Sequence, residues 1–193
     1  MPSIRKAARI TGNHLVFRNA DVDDSRFILS LRTDQSRSRF LSPTSPDLEM
    51  QVEWMQRYQR CDDQAYFIIE DGGGRKIGTI RLYDQAGDSF CWGSWIIRPG
   101  MPYSYSVESV LILYHYALDE LGFSRSYFAI RKDNTSVWRF MERFGAERKA
   151  ESDIDYFYET SRARVSESFV TYSRFLPQPV KVIYDPIPGS RQN

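Results

Sequence analysis

Phe90-Cys91-Trp92-Gly93-Ser94-Trp95-Ile96-Ile97 runs into Arg98-Pro99-Gly100; Met101-Pro102-Tyr103-Ser104-Tyr105-Ser106 then leads to Val107, Val110, Leu111, Tyr114, Ala117, Leu118 and Leu121 at helical spacing. The first run is rich in aromatic and β-branched residues and predicts a strand. Pro99 removes a ladder donor and Gly100 permits a turn, so the strand ends there. The periodic segment predicts a long helix closed by Gly122. A helix that starts just past a strand end presents unpaired N–H groups and the positive end of its dipole, an anion site that needs no lysine. Any α/β crossover offers as much, so this signal by itself assigns no function.

Downstream, Ser126 to Arg131 reads as a strand and Asn134 to Phe144 as a short helix closed by Gly145. Asp155 to Glu159 predicts another strand, and Val165, Phe169, Tyr172 and Leu176 predict a last helix over 161–176. Upstream, His14 to Asn19 predicts the first strand and Asp21 to Arg32 a first helix. A second helix is expected with Ser45 as cap, Pro46 in the first helical position and a stripe through Leu48, Val52 and Met55 toward Cys61. Ala65 to Glu70 and Lys76 to Tyr83 predict two strands joined across Asp71-Gly72-Gly73-Gly74-Arg75. That glycine triplet has no helix after it to supply a dipole end, so it reads as a hairpin loop rather than a phosphate loop. From Pro177 the tail, with Pro179, Pro186 and Pro188, is expected to be extended.

The chain has 193 residues, 41% hydrophobic and 15% aromatic, enough for one α/β domain with a sizeable core. Lys and Arg total 26 against 25 Asp and Glu, a formal charge of +1, which argues against polyanion partners such as nucleic acid or an anionic membrane. Cys61 and Cys91, with only His14 and His115 beside them, offer neither a disulfide framework nor metal-ligand spacing. Neither an apolar leader segment nor a run of about 18 apolar residues occurs, so a cytoplasmic location is expected. Pairing of two copies through exposed apolar edges stays open.

The order of strand, loop, long helix, strand, then Asn134 eleven residues before Gly145 resembles the core of the GCN5-related N-acetyltransferases, particularly the branch of ribosomal-protein N-terminal acetyltransferases. The resemblance spans roughly His14 to Leu176. Its pieces are Leu15-Val16-Phe17-Arg18 leading into Leu31-Arg32-Thr33-Asp34, Ile77-Gly78-Thr79-Ile80-Arg81-Leu82-Tyr83, Trp92 to Ile97, Val107-Glu108-Ser109, and Asn134 through Glu142-Arg143-Phe144-Gly145-Ala146. It implies a single α/β (α+β) domain at 14–176 with a mixed, mostly antiparallel central sheet flanked by helices. An extension at 1–13 and a tail at 177–193 would stand outside it. It also implies acetyl-CoA or another acyl-CoA as co-substrate, held by Trp95, Ile96, Ile97, Tyr103, Ser104, Tyr105, Ser106, Val107, Asn134 and Met141.

Departures from the family pattern are as telling. The family's cradle loop commonly reads Arg or Gln, two residues, Gly, one residue, then Gly or Ala; the matching positions here are Met101, Ser104 and Ser106. Backbone donors at the helix start must then replace the glycine cradle. The family's usual tyrosine acid is Met141 here, and its common strand glutamate is Cys91. Ser136 is left as the candidate acid and Asn134 as the residue holding a pantetheine amide or an ordered water. Single residues without partners carry less: Cys91 reads as a buried inert thiol and His115 as structural. Arg32, Trp54, Tyr83 and Trp92 are the candidate acceptor-binding residues, and no metal site is expected.

The Phe140 to Glu147 segment and the strand with Asp155-Tyr156-Phe157 are similar to enzymes that acylate nucleotide-linked amino sugars, which makes a small-molecule amine of that kind the favoured acceptor. A protein N-terminal amine is the main alternative, and a fold that binds acyl-CoA without turnover the other.

Overall fold

Residues 1–185 are described by a computed structural model, with the main chain only at 37 and 38. Pro186 and Pro188 lie outside the described residues. The strands are β1 (Arg9–Thr11), β2 (Leu15–Asn19), β3 (Ala65–Asp71), β4 (Lys76–Ala86), β5 (Ser89–Ile97), β6 (Arg125–Arg131), β7 (Glu147–Glu151), β8 (Asp155–Ser161) and β9 (Lys181–Ile183). The helices are α1 (Ser25–Arg32), α2 (Gln35–Ser38), α3 (Leu48–Arg60), α4 (Tyr103–Tyr114), α5 (Thr135–Arg143) and α6 (Arg162–Thr171). All the strands form a single sheet in the order β7-β8-β6-β5-β4-β3-β2-β1-β9. Among the described residues only β5 and β6 pair in parallel; every other pairing is antiparallel.

Strand alternation sorts the core onto two faces. Along β3, Phe67 and Ile69 join the larger cluster with α4, while Tyr66 and Ile68 join Ile28 of α1 and Met55 and Tyr58 of α3. Burying each such large side chain stabilises the fold by roughly 1.5–3 kcal/mol. The periodicity of α4 suggested one apolar face, yet every residue from Val107 to Tyr114 is buried. That includes Glu108, whose Oε1 accepts the backbone N–H groups of Asn13, His14 and Leu15 at 2.8, 2.7 and 2.9 Å. A carboxylate with three amide donors can be buried where an unpaired one could not.

Several boundaries differ from the sequence expectation. Asp47 rather than Ser45 caps α3, its carboxylate accepting from the Glu49 amide at 2.8 Å, so the helix begins two residues past Pro46. The long helix ends in a π turn over His115–Glu120, where the Leu121 amide reaches the Tyr116 carbonyl. The last helix stops at Thr171, and Ser173–Phe175 is a separate 3-10 turn. Both flanking segments contribute strands: Ile10 of β1 faces Phe17 of β2 on one side and Val182 of β9 on the other. Neither three-residue strand, nor the fully exposed β7, has a pattern long enough to read from sequence.

Candidate active site

The parallel pair β5 and β6 is joined only at Ser89–Arg125, Phe90–Ser126 and Cys91–Tyr127. From Trp92 onward β5 keeps its antiparallel partner β4, while the upper half of β6 keeps β8. The edges of β5 and β6 that face each other are therefore unpaired. A backbone edge left open inside a fold is a template for an extended ligand.

A cavity of about 370 Å³ lies in this gap, lined by Trp92 to Ile97 on one side, Phe128 to Arg131 on the other, and Asn134, Ser136 and Met141 of the α5 segment. Asn134 stands at the N-terminus of α5, but its side chain makes no cap hydrogen bond, which leaves the amide free to face the cavity. The exposed Ser136 sits in the first turn, and Met141 is fully buried in the wall.

The start of α4 closes one end. Pro102 precedes the helix at φ −54° and ψ 140°, and the Tyr105 amide already donates to the Pro102 carbonyl at 3.0 Å. The Tyr103 and Ser104 amides lie ahead of the helical ladder. Tyr103 and Ser106 line the cavity, whereas Ser104 and Tyr105 do not and Val107 points into the core. The serines that replace the glycines occupy ordinary helical positions, so the loop carries no glycine-type strain at these residues.

Strain is placed on β5 instead. Thr79 pairs with Ile96 and Arg81 with Gly93, so Ile80 alone is opposed by Ser94 and Trp95, a β-bulge, and Ser94 takes φ 49°. A non-glycine residue there costs about 1–2 kcal/mol and persists only when its surroundings hold it. The Thr79 hydroxyl donates to the Ser94 carbonyl at 2.8 Å. Gly78 permits the close approach: a Cβ on it would stand 2.3 Å from the Ile96 carbonyl oxygen. The Trp95 indole N–H, tied to Ser109 Oγ at 3.0 Å, fastens the bulge to α4.

Ser94 also lines a second cavity of about 330 Å³, beneath α1 and α3. Arg32 and Trp54 are on its wall, as expected from the sequence, together with Arg57, Tyr66 and Arg81. Trp92 belongs to the first cavity rather than to this one. Tyr83 lines neither: its hydroxyl sits where a Cβ on Gly93 would meet it at 3.0 Å, beneath the Arg81 guanidinium. Sequence reading missed Ser94, Arg57 and Arg81. Arg57 lies one helical turn past Trp54 and Arg81 lies on β4, but charged residues at such positions read as a solvated face until their neighbours are known.

Neither of these two cavities is lined by an Asp, Glu, His or Cys. Cys91 is buried, and burial pushes its thiol above the usual range, so it stays protonated. The ring of His115 stacks on Phe169 at 4.3 Å, away from both cavities. Among the described residues there is no cluster that could hold a metal ion and no helix long and apolar enough to cross a membrane.

A family model described as the acetyltransferase (GNAT) domain matches residues 14–147. The chain belongs to the GNAT acetyltransferase family. It is an N-acetyltransferase, and the domain generally uses an acyl-CoA. Apo FdhC, described as a nucleotide-linked sugar GNAT, is 32% identical with a TM-score of 0.79, over 87% of this chain and 98% of that one. A GCN5-related N-acetyltransferase from Brucella melitensis is 18% identical with a TM-score of 0.74, covering 91% of this chain and 89% of its own. A spermidine N-acetyltransferase SpeG chimera from Vibrio cholerae and hSSAT is 15% identical with a TM-score of 0.70, covering 80% and 99%. The latter two likenesses show the fold only. Among curated proteins there is no match.

Proposed function

We propose that the chain transfers an acyl group, acetyl in the first instance, from acyl-CoA to the primary amine of a nucleotide-linked amino sugar. The observation that carries this is the meeting of two cavities at Ser94: one along the open edges of β5 and β6, the other on the far side of the bulge. Two substrates that enter from opposite faces then react where the bulge turns the main chain. The likeness to a nucleotide-linked sugar GNAT favours that acceptor over a protein N-terminus. Free cysteines Cys61 and Cys91 suit the cytoplasm.

The residues fit an acyl-CoA. The open β5 edge offers main-chain groups at Trp95 to Ile97 for an extended pantetheine arm, and the free Asn134 amide offers one more partner. The Tyr103 and Ser104 amides and the α4 dipole would hold phosphate. When bound, the acyl-CoA supplies the thioester carbonyl. An amide near Ile96 or Ile97 would polarise it, the term that most often dominates acyl transfer.

Proton transfers fall to neutral groups and water. With no carboxylate or imidazole on either cavity wall, the acceptor amine passes its proton to solvent in the open second cavity. Ser136, exposed at the mouth of the first cavity, relays a solvent proton to the departing thiolate, its hydroxyl taking a proton from water as it gives one up.

The test is release of free CoA from acetyl-CoA with a panel of amines: nucleotide-linked amino sugars, peptides with free N-termini, and small amines. Amino-sugar-dependent release is expected. Release only with peptides would transfer the assignment to the protein-amine reading. A CoA-dependent rise in melting temperature without turnover on any amine would leave a binding module.

A further inference from the structure

The second cavity is poorly suited to an ammonium. Arg32, Arg57 and Arg81 stand on its wall, and no Asp or Glu lines it. None of the three takes part in an ion pair among the described residues. Arg32 is steadied by neutral acceptors, Thr44 Oγ1 at 2.7 Å and Ser42 Oγ at 3.2 Å, which orient it without cancelling its charge.

Arg81 is more constrained. Its guanidinium lies over the Tyr83 ring at 4.2 Å and over the Trp54 ring at 5.3 Å, and its Nε is buried without a hydrogen-bond partner. Folded proteins rarely leave a buried donor unmade unless a ligand or water supplies the acceptor. Arginine forks match phosphate oxygens two at a time, and uncompensated guanidiniums converging on a small cavity favour a multiply charged anion. Trp54, stacked on Tyr58 at 6.0 Å and edge-on to Tyr66 at 5.7 Å, gives the same cavity a rigid aromatic wall for a flat ring.

We propose that the second cavity is a phosphate-binding acceptor subsite, in which Arg57 and Arg81 grip the diphosphate of the incoming amino-sugar nucleotide and Arg32 steadies its approach to Ser94. The assignment rests on the acyltransferase reading and deepens it: the acceptor is selected by its phosphates as well as by its amine. Polycationic acceptors are repelled by the same charges.

The test uses the whole protein saturated with CoA, so that the cradle at α4 is filled and any further anion must bind elsewhere. Thymidine diphosphate, uridine diphosphate, thymidine and malonate are titrated by calorimetry and by tryptophan fluorescence. The nucleoside diphosphates are expected to bind, thymidine and malonate to bind far more weakly. Arg57→Gln and Arg81→Gln should each weaken diphosphate binding by about tenfold or more, the scale of a lost charge-assisted contact, with CoA affinity within about twofold. Arg57 is exposed, so its replacement leaves the fold intact and keeps the test decisive. Undiminished diphosphate binding in the double variant, no diphosphate binding to CoA-saturated protein, or preferential binding of malonate would each overturn the subsite while leaving acyl-CoA binding in place. Failure of CoA itself to bind would instead remove the acyltransferase reading, and this assignment with it.

Discussion

The two cavities that share Ser94 are close in size, about 370 and 330 Å³, yet are built by different means. The first is built from main chain: two strands pair at their base, diverge, and leave backbone edges for an extended ligand. Ser106 and Met141 stand on its wall, and exchanging such side chains would leave those main-chain donors in place. The second is built from side chains, three arginines and two aromatic rings, so each substitution there changes what can bind. Under the proposed function, cofactor recognition through backbone would tolerate sequence change, and acceptor recognition through side chains would set specificity.

The largest effect on this contrast is expected from Gly78→Val. Its added Cβ meets the Ile96 carbonyl and spoils the bulge that both cavities share. Stability should fall by about 3 kcal/mol by urea titration. Acyl transfer per folded molecule should fall by about a hundredfold, the scale of a misplaced reacting group. A variant with normal turnover would show that the bulge does not position the reaction.

Arg57→Gln combined with Arg81→Gln should raise the acceptor KM by about a hundredfold if the two contacts add, with the KM for acyl-CoA unchanged. Equal losses for both substrates would erase the division of labour between the cavities. Ser136→Ala acts on the other side: kcat should fall by roughly tenfold while CoA affinity holds, water replacing part of the proton transfer. Retention of both would remove Ser136 from the proton path.

Asp24→Asn should touch neither cavity. Asp24 is buried against Arg18 at 2.9 Å and Lys76 at 2.5 Å. Burial by itself would raise its carboxyl, but the Arg18 and Lys76 hydrogen bonds and the Asp21 amide together carry it below the ordinary range. Its contribution is therefore complete above the unfolded value of about 3.9 and is lost as pH falls through the lower folded value. The variant should lose about 3 kcal/mol at neutral pH and show a flatter acid limb in melting temperature, with KM values for both substrates unaltered. An unchanged acid limb would show that Asp24 does not carry that pH dependence.

Legibility from sequence followed the same division. The strand at Phe90–Ile97, the helix after it and the Asn134–Gly145 unit have strong periodicity and clear stops, and they place the first cavity within a few residues. Arg32 and Trp54 could be expected on the acceptor side through family resemblance. Arg57 and Arg81 could not, because a charged residue on a helix or strand reads as a solvated face until its neighbours are known.

The sequence by itself determined where the elements lie and in what order, since hydrophobic period, proline and glycine are local signals, and this was sufficient for the family. Tertiary structure decided that β5 and β6 part after Cys91, that the strained residue is Ser94 rather than a serine of the cradle, and that three arginines from α1, α3 and β4 share one wall. These depend on strand register and on side chains brought together from positions up to 49 residues apart, from Arg32 to Arg81, which no local pattern records.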